Sequence, residues 1–193
     1  YSQFGLGSLT GVDVPYEATG YKGSATLGGH LLDFAIGQYD TYTVMQLGQY
    51  ISTIANGGYR IQPRILLKAT EANSDVVTYQ NDVTVLNVLE NKAALQRVQM
   101  GLRLCVTGGL CKGYSAIPAA VAAITGTAET FVTDSKGNLV DSSNSLVIAY
   151  APYNKPEISI ACGIPNAFSV IFAYDNLCYK VVNDILLYYF SGR

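Results

Sequence analysis

The last third of the chain limits the fold most strongly, because two long extended runs are joined there by turn-forming residues. Residues 121–133 form one run, the cluster Asp-Ser-Lys-Gly-Asn follows at 134–138, and a second run starts at Leu139. Two such runs around a short turn cluster predict a β-hairpin. Further strands are predicted at 145–151 and 157–164, so the chain is expected to contain a sheet.

Helical spacing of apolar residues predicts three helices. The first spans about 43–56, where a Thr with a Gln three positions later forms a capping-box pattern and Asn-Gly-Gly supplies the stop. The second spans about 92–106 and the third about 168–190, which should pack on the sheet. Residues 1–40 are rich in glycine without a sustained period and are predicted to be ordered loop.

The composition narrows the classes of function. Apolar residues make up 49% of the 193 residues, which is enough for a real core. Because 14 acidic residues stand against 12 basic ones, the chain has no basic surface for nucleic acid or for an anionic membrane. No apolar run reaches the roughly 18 residues that cross a bilayer.

The four cysteines form no CxxC pair and have a single histidine, His30, beside them, so no metal site and no cofactor are expected. Cys162 and Cys178 each lie in an apolar run and are predicted to be small core residues. A bridge between Cys105 and Cys111 across the intervening glycines is left open. His30 lies in a glycine loop and is predicted to be structural or exposed.

The run from Ile124 to Glu129, Ile-Thr-Gly-Thr-Ala-Glu, is unusual because its side chains are small. A strand packed on both faces prefers large branched side chains, so Gly126 weakens it unless something approaches the backbone closely. The hydroxyls of Thr125 and Thr127 could bond a carboxylate or an amide, and an exposed strand edge can hold an extended peptide. The alternative is that Thr and Ala simply fill a tight space beneath a helix.

Four segments together resemble one family. They are TGTAE from Thr125, FGLGSLTGVDVPYE from Phe4, DFAIGQYDTYTVMQLGQYISTIANGGYRIQPRI from Asp33 and NSLVIAYAPYNKPEISIACGIPN from Asn144. Their order and spacing over residues 4–166 resemble the class B, monofunctional penicillin-binding proteins. The FGLG and IANGG segments favour these synthetic enzymes over hydrolases of the β-lactamase type.

The resemblance implies an α+β fold of the penicillin-binding and β-lactamase-like type, in which helices cover both faces of a five-stranded antiparallel sheet. Residues 1–193 would be the C-terminal portion of the transpeptidase domain, with two strands and the nucleophile helix supplied by preceding polypeptide. Residues 158–164 would then have an unpaired edge, so the chain is expected to associate with that missing part or with itself.

The resemblance also implies a function, namely cross-linking of peptidoglycan stem peptides by acyl-serine chemistry, with β-lactams as acylating inhibitors. The domain would lie at the extracytoplasmic face of a bacterial membrane, anchored through a segment outside this chain. Thr125, Gly126 and Thr127 would bind the substrate's carboxylate end, and the backbone N–H of Thr127 would contribute to an oxyanion hole.

Two departures from the family pattern leave the activity open. No serine is followed three positions later by lysine, and Ile124 replaces the lysine that precedes Thr-Gly-Thr in the family. Ser142-Ser143-Asn144 matches a second motif by its letters but follows the third motif, and it is predicted to form a turn. The chain is therefore either part of a transpeptidase whose serine lies upstream or a non-catalytic peptide-binding or scaffold module.

Overall fold

The computed structural model describes residues 1–23, 28–169, 172–173 and 177–192. These residues contain four α-helices and eight strands. The helices are α1 (His30–Ala35), α2 (Val44–Ala55), α3 (Lys92–Gly108) and α4 (Leu177–Ser191). The strands are β1 (Tyr59–Ile61), β2 (Lys68–Thr70), β3 (Val77–Gln80), β4 (Val85–Val88), β5 (Ala122–Thr133), β6 (Leu139–Ala151), β7 (Ile158–Ser169) and β8 (Phe172–Ala173).

The main sheet is antiparallel in the order β5-β6-β7-β8, while β1 pairs with β4 and β2 with β3 in two small sheets. The β5–β6 hairpin is regular from Ala122 opposite Tyr150 to Thr133 opposite Leu139. Helices cover both faces of the main sheet. The predicted α+β fold is confirmed. The described sheet has four strands rather than the three expected of this chain, because the two-residue β8 is added to it.

Side chains alternate between two cores, one on each face of the sheet. On one face, Ile51 and Ile54 of α2 pack with Tyr150 of β6. On the other, Val182 of α4 packs with Val147 of β6. The close approach of α2 to β7 leaves no room for a side chain at Gly163, since a Cβ there would lie 2.9 Å from a methyl carbon of Val44.

The helices α2 and α3 are where the sequence predicts them. Thr43 and Gln46 form the expected capping box, in which the Gln46 N–H donates to Thr43 Oγ1 (3.2 Å) and the Thr43 N–H donates to Gln46 Oε1 (2.9 Å). Asn91 caps α3 by accepting from the Ala94 N–H (2.9 Å).

Two predictions in the sheet were wrong. The extended run at Leu139 and the strand at 145–151 are one strand, β6, so Ser142-Ser143-Asn144 lies within a strand rather than in a turn. The predicted helix at 168–190 begins too early, because β7 continues to Ser169 and α4 starts at Leu177. The apolar residues of that segment fit both a helical and an extended pattern. Residues 170–171 and 174–176 lie outside the described part.

Cys178 is buried in one core and Cys162 packs against that core, as the sequence predicts. The sequence did not predict that the two also form a disulfide, which joins β7 to the first turn of α4. Cys105 and Cys111 form a second disulfide across the glycine turn after α3. The first disulfide thus lies on β7, and the second lies next to β5, since Cys111 Sγ is 3.6 Å from the carbonyl oxygen of Ala123.

The segment predicted as loop contains the short helix α1 and a 3₁₀ turn at Ser2–Phe4. In the described part of the chain no helix combines the length and the apolar character that crossing a bilayer requires. The outer edge of β7 at 158–164 has no strand partner among the described residues, as expected.

Candidate functional site

The small-residue run lies in β5, an outer strand of the sheet. Gly126 is opposite Leu146 and Thr127 is opposite Ser145, so β6 covers one edge of β5 and the other edge has no strand partner among the described residues. Thr127 is exposed, and Ile124 is 47% exposed. The structure thus brings the three predicted residues, Thr125, Gly126 and Thr127, together on an accessible edge strand.

Hydrogen bonds around β5 show which of its backbone groups point towards β6. In an antiparallel strand the N–H and C=O of one residue point to the same side, and that side alternates along the chain. The Asp134 N–H bonds the Asn138 carbonyl at the end of the hairpin (2.9 Å), and the Tyr153 N–H bonds the Ala120 carbonyl at its start (2.6 Å). The backbone N–H and C=O groups of even-numbered β5 residues therefore point towards β6.

The backbone N–H and C=O groups of odd-numbered residues must then point away from β6, and two hydrogen bonds agree with this direction. The carbonyl of Val121 accepts from Arg103 Nη1 (2.7 Å), and that of Glu129 accepts from Gln38 Nε2 (3.2 Å). Between them lie the outward N–H and C=O groups of Thr125 and Thr127, which we call the ledge. No hydrogen bond reaches the ledge from any residue that the structure describes outside the sheet.

Packing within the fold does not explain Gly126. A Cβ added there would lie 3.4 Å from Leu146 Cβ and 3.8 Å from its Cδ1, both ordinary van der Waals contacts. Its backbone is extended, so an alanine would fit without strain. For Gly126, the alternative of a tight space beneath a helix is not supported, because Leu146 of the neighbouring strand supplies the near contacts.

A cleft of about 420 Å³ lies next to the ledge. It is on the face of the sheet to which the side chains of even-numbered β5 residues point. Ala128, Thr130 and Leu146 form its floor, while the loop 37–42 and Tyr50 form its walls. Within the loop, the Tyr42 hydroxyl donates to Asp40 Oδ2 (3.0 Å). Burial, together with this bond to the carboxylate, raises the pKa of Tyr42, so its hydroxyl stays protonated as a donor at neutral pH.

Two buried glutamines of α2 hold the N-terminal segment and β1 against this helix. Gln46 Nε2 donates to the carbonyls of Ser8 (2.7 Å) and Thr19 (3.1 Å), and Gln49 Nε2 donates to those of Thr10 (3.1 Å) and Ile61 (2.9 Å). These bonds satisfy three carbonyls of the N-terminal segment and one of β1. The apolar spacing of α2 predicts a helix but gives no sign of this role for its glutamines.

Asn144 takes a position that the sequence did not predict, whereas His30 fits the prediction of a structural or exposed residue. Asn144 borders the cleft, and its Oδ1 accepts from the N–H of Asn166 (2.9 Å), where β7 bulges away from β6. His30 begins α1 and stacks on Tyr39 with 4.4 Å between ring centroids. Of the motif Ser142-Ser143-Asn144, therefore, the asparagine contributes to the cleft wall by holding a bulge.

An antiparallel sheet covered on both faces, with one open strand edge beside a cleft, defines an α+β domain able to hold an extended peptide. The chain belongs to the penicillin binding protein transpeptidase domain family, whose model matches residues 1–181.

Relatives and solved structures agree with this family. Penicillin-binding protein 2A of Bacillus subtilis strain 168 is 42% identical, over 96% of this chain and 26% of the relative. Penicillin-binding protein 2B of Streptococcus pneumoniae serotype 2 strain D39 is 32% identical, over 86% of this chain and 25% of the relative. The solved penicillin-binding protein 2B of S. pneumoniae strain R6 has a TM-score of 0.84 and 28% identity, covering 100% of this chain and 32% of that one. The chain spans about a quarter of the length of these curated relatives.

Proposed function

We propose that this chain is the C-terminal portion of a peptidoglycan D,D-transpeptidase domain, which cross-links stem peptides by acyl-serine chemistry and is acylated by β-lactams. The observation that carries the proposal is the ledge, with its outward N–H and C=O groups at Thr125 and Thr127 on an open strand edge. An extended acyl-donor peptide would pair with the ledge by main-chain hydrogen bonds.

Each ledge residue has a role in this proposal. The N–H of Thr127 would donate to the oxyanion that forms when a serine hydroxyl attacks the peptide carbonyl. Thr125 would bind the carboxylate end of the donor, and Gly126 leaves the cleft face beside the ledge open. The attacking serine would come from polypeptide outside this sequence, because no serine of the chain is followed three positions later by lysine.

One observation favours a second candidate function, a non-catalytic peptide-binding or scaffold module. Ile124 points to the cleft face in place of the family's lysine, and no Lys, Arg or His is among the described residues that line the cleft. Without a cation, a substrate carboxylate would be bound less tightly and a proton would be transferred less readily. Such a module would keep the ledge and form no acyl-enzyme.

The proposed location is the extracytoplasmic face of a bacterial membrane, with the anchor in a segment outside this chain. The two disulfides support it, because structural disulfides persist mainly in oxidising compartments. The edge of β7 at 158–164, which has no strand partner in the described part of the chain, supports a second partner, the preceding part of the same domain.

Labelling by a fluorescent penicillin tests the reaction in the full-length protein that contains this chain. Covalent labelling is expected, and Ile124→Lys should increase its rate because it restores the cation. Leu139→Lys, at an exposed position of β6 far along the hairpin, is the matched control and should leave the rate unchanged. An unlabelled protein that still binds stem peptides would favour the non-catalytic module, and labelling of the 193-residue chain alone would contradict an external serine.

A further inference from the structure

We infer that Gln38 is a positioning residue that limits how many residues of a peptide can pair with β5. Its side-chain amide donates to the carbonyl of Glu129 (3.2 Å), the next outward-facing residue after Thr127. The inference rests on the proposed function only in requiring that a peptide binds the ledge. It names a residue that sets the register of that peptide.

The contact between Gln38 and Glu129 depends on the fold, because the two residues are 91 positions apart. Gln38 follows α1 in the loop 37–42 that walls the cleft, and it is half-buried. Glu129 belongs to the odd-numbered residues of β5, so its carbonyl points away from β6 and towards the place where an added strand would lie. Gln38 thus occupies an acceptor that a bound peptide would otherwise use.

At the other end of the ledge, Arg103 occupies the carbonyl of Val121, and the disulfide sulfur of Cys111 lies against that of Ala123. Between these contacts, Thr125 and Thr127 have outward groups to which no residue outside the sheet, among those that the structure describes, donates or accepts a hydrogen bond. Because paired strands use every second residue for hydrogen bonding, two such residues match a peptide segment of about three residues. Further peptide residues on the Glu129 side would meet an amide that is already bonded.

Substitution of Gln38 should lengthen the ledge. Gln38→Glu keeps the size of the side chain but has no N–H to donate, and Gln38→Ala removes the group altogether. Either change frees the Glu129 carbonyl for a peptide N–H two residues beyond the original segment. Gln96→Glu makes the same chemical change at an exposed position of α3 and is the matched control.

The experiment measures binding of peptides of two to five residues, each ending in two D-amino acids, to the full-length protein by isothermal titration calorimetry. For the unsubstituted protein and Gln96→Glu, affinity is expected to rise up to three residues and then stay level. For Gln38→Glu and Gln38→Ala, the five-residue peptide should bind about fivefold more tightly than the three-residue one, which corresponds to one added hydrogen bond. Unchanged melting temperatures would show that the fold is kept.

The outcomes separate this inference from the proposed reaction. Equal length dependence in the unsubstituted protein and in the Gln38 variants would overturn the inference, as would the absence of binding by every peptide. Labelling by fluorescent penicillin without a length limit would retain the reaction and reject the role of Gln38. A length limit that Gln38→Glu removes, in a protein that penicillin does not label, would retain the role of Gln38 and reject the acyl-serine chemistry.

Discussion

Two strands of the main sheet, β5 and the 158–164 part of β7, each have an edge without a strand partner among the described residues, yet they differ in the side chains around that edge. Thr125, Gly126 and Thr127 surround the open groups of β5 with small and polar side chains. On β7, by contrast, the segment Ile158–Ile164 has apolar residues packed against α4.

This difference indicates two kinds of partner. Small residues and hydroxyls allow a ligand to approach the backbone and leave again, as a substrate must. An apolar strand with unpaired backbone groups favours a permanent strand partner and is prone to aggregate without one. We therefore expect substrate at the edge of β5 and polypeptide at the edge of β7.

The largest effect is expected from Thr127→Pro, which removes an outward N–H without breaking the β5–β6 ladder. Loss of one oxyanion donor lowers acylation by about 10²- to 10³-fold. The rate of labelling by fluorescent penicillin in the full-length protein measures it. Phe131→Pro removes an outward N–H further along the same edge and should change the rate little; equal losses in both variants would contradict the assignment of Thr127.

The disulfides allow a comparison of the two edge regions by stability. The disulfide between Cys162 and Cys178 closes a loop with a sequence separation of 16, and the one between Cys105 and Cys111 closes a loop with a separation of 6. Replacing either pair of cysteines by serine removes that closure. Chain entropy predicts losses of about 3 and about 2 kcal/mol, so the melting temperature should fall by roughly 6–12 °C in the first variant and less in the second. Calorimetry of the full-length variants checks the order, and an equal or reversed order would contradict it.

Gly126→Ala tests whether the glycine serves the fold or the ligand. Because the new methyl group would make only ordinary contacts with Leu146, stability should change by no more than about 0.5 kcal/mol. A methyl group on the face that receives ligand should slow labelling by about tenfold. Loss of stability without loss of labelling would mean that the glycine is there for packing.

The smallest effect concerns the edge of β7. The isolated 193-residue chain is expected to self-associate through this edge, with a molar mass that rises with concentration in light scattering. Ala161→Pro removes an outward N–H and should weaken that association about fivefold, while Ile160→Pro removes a bond to β6 and should lower the melting temperature instead. A monomer at high concentration would contradict a partner at this edge.

Local patterns predicted α2, α3 and β5, because each has a clear period and a stop signal of its own. They failed where long-range contacts decide the structure. The polar letters of Ser142-Ser143-Asn144 suggested a turn, but pairing with both β5 and β7 keeps them in one strand. Apolar runs around Cys162 and Cys178 gave no sign that the two sulfurs meet, since that depends on how α4 packs on β7.

The candidate site shows the same limit. The ledge could be predicted because its small residues are consecutive in sequence. Gln38 could not, because its contact with Glu129 spans the chain and a single glutamine in a glycine-rich segment carries no signal by itself. Likewise, the support that Gln46 and Gln49 give to the N-terminal segment depends on which loop carbonyls the fold brings to α2.

Hydrogen exchange of the full-length protein, with and without penicillin, tests the central claim most directly. If the ledge binds the acyl donor, a peptide fragment of β5 that contains Thr125 and Thr127 should exchange more slowly when penicillin is bound, while Phe131–Thr133 and Ile158–Ile164 stay unchanged. Unchanged exchange at Thr125 and Thr127 in a fully labelled protein would contradict the account.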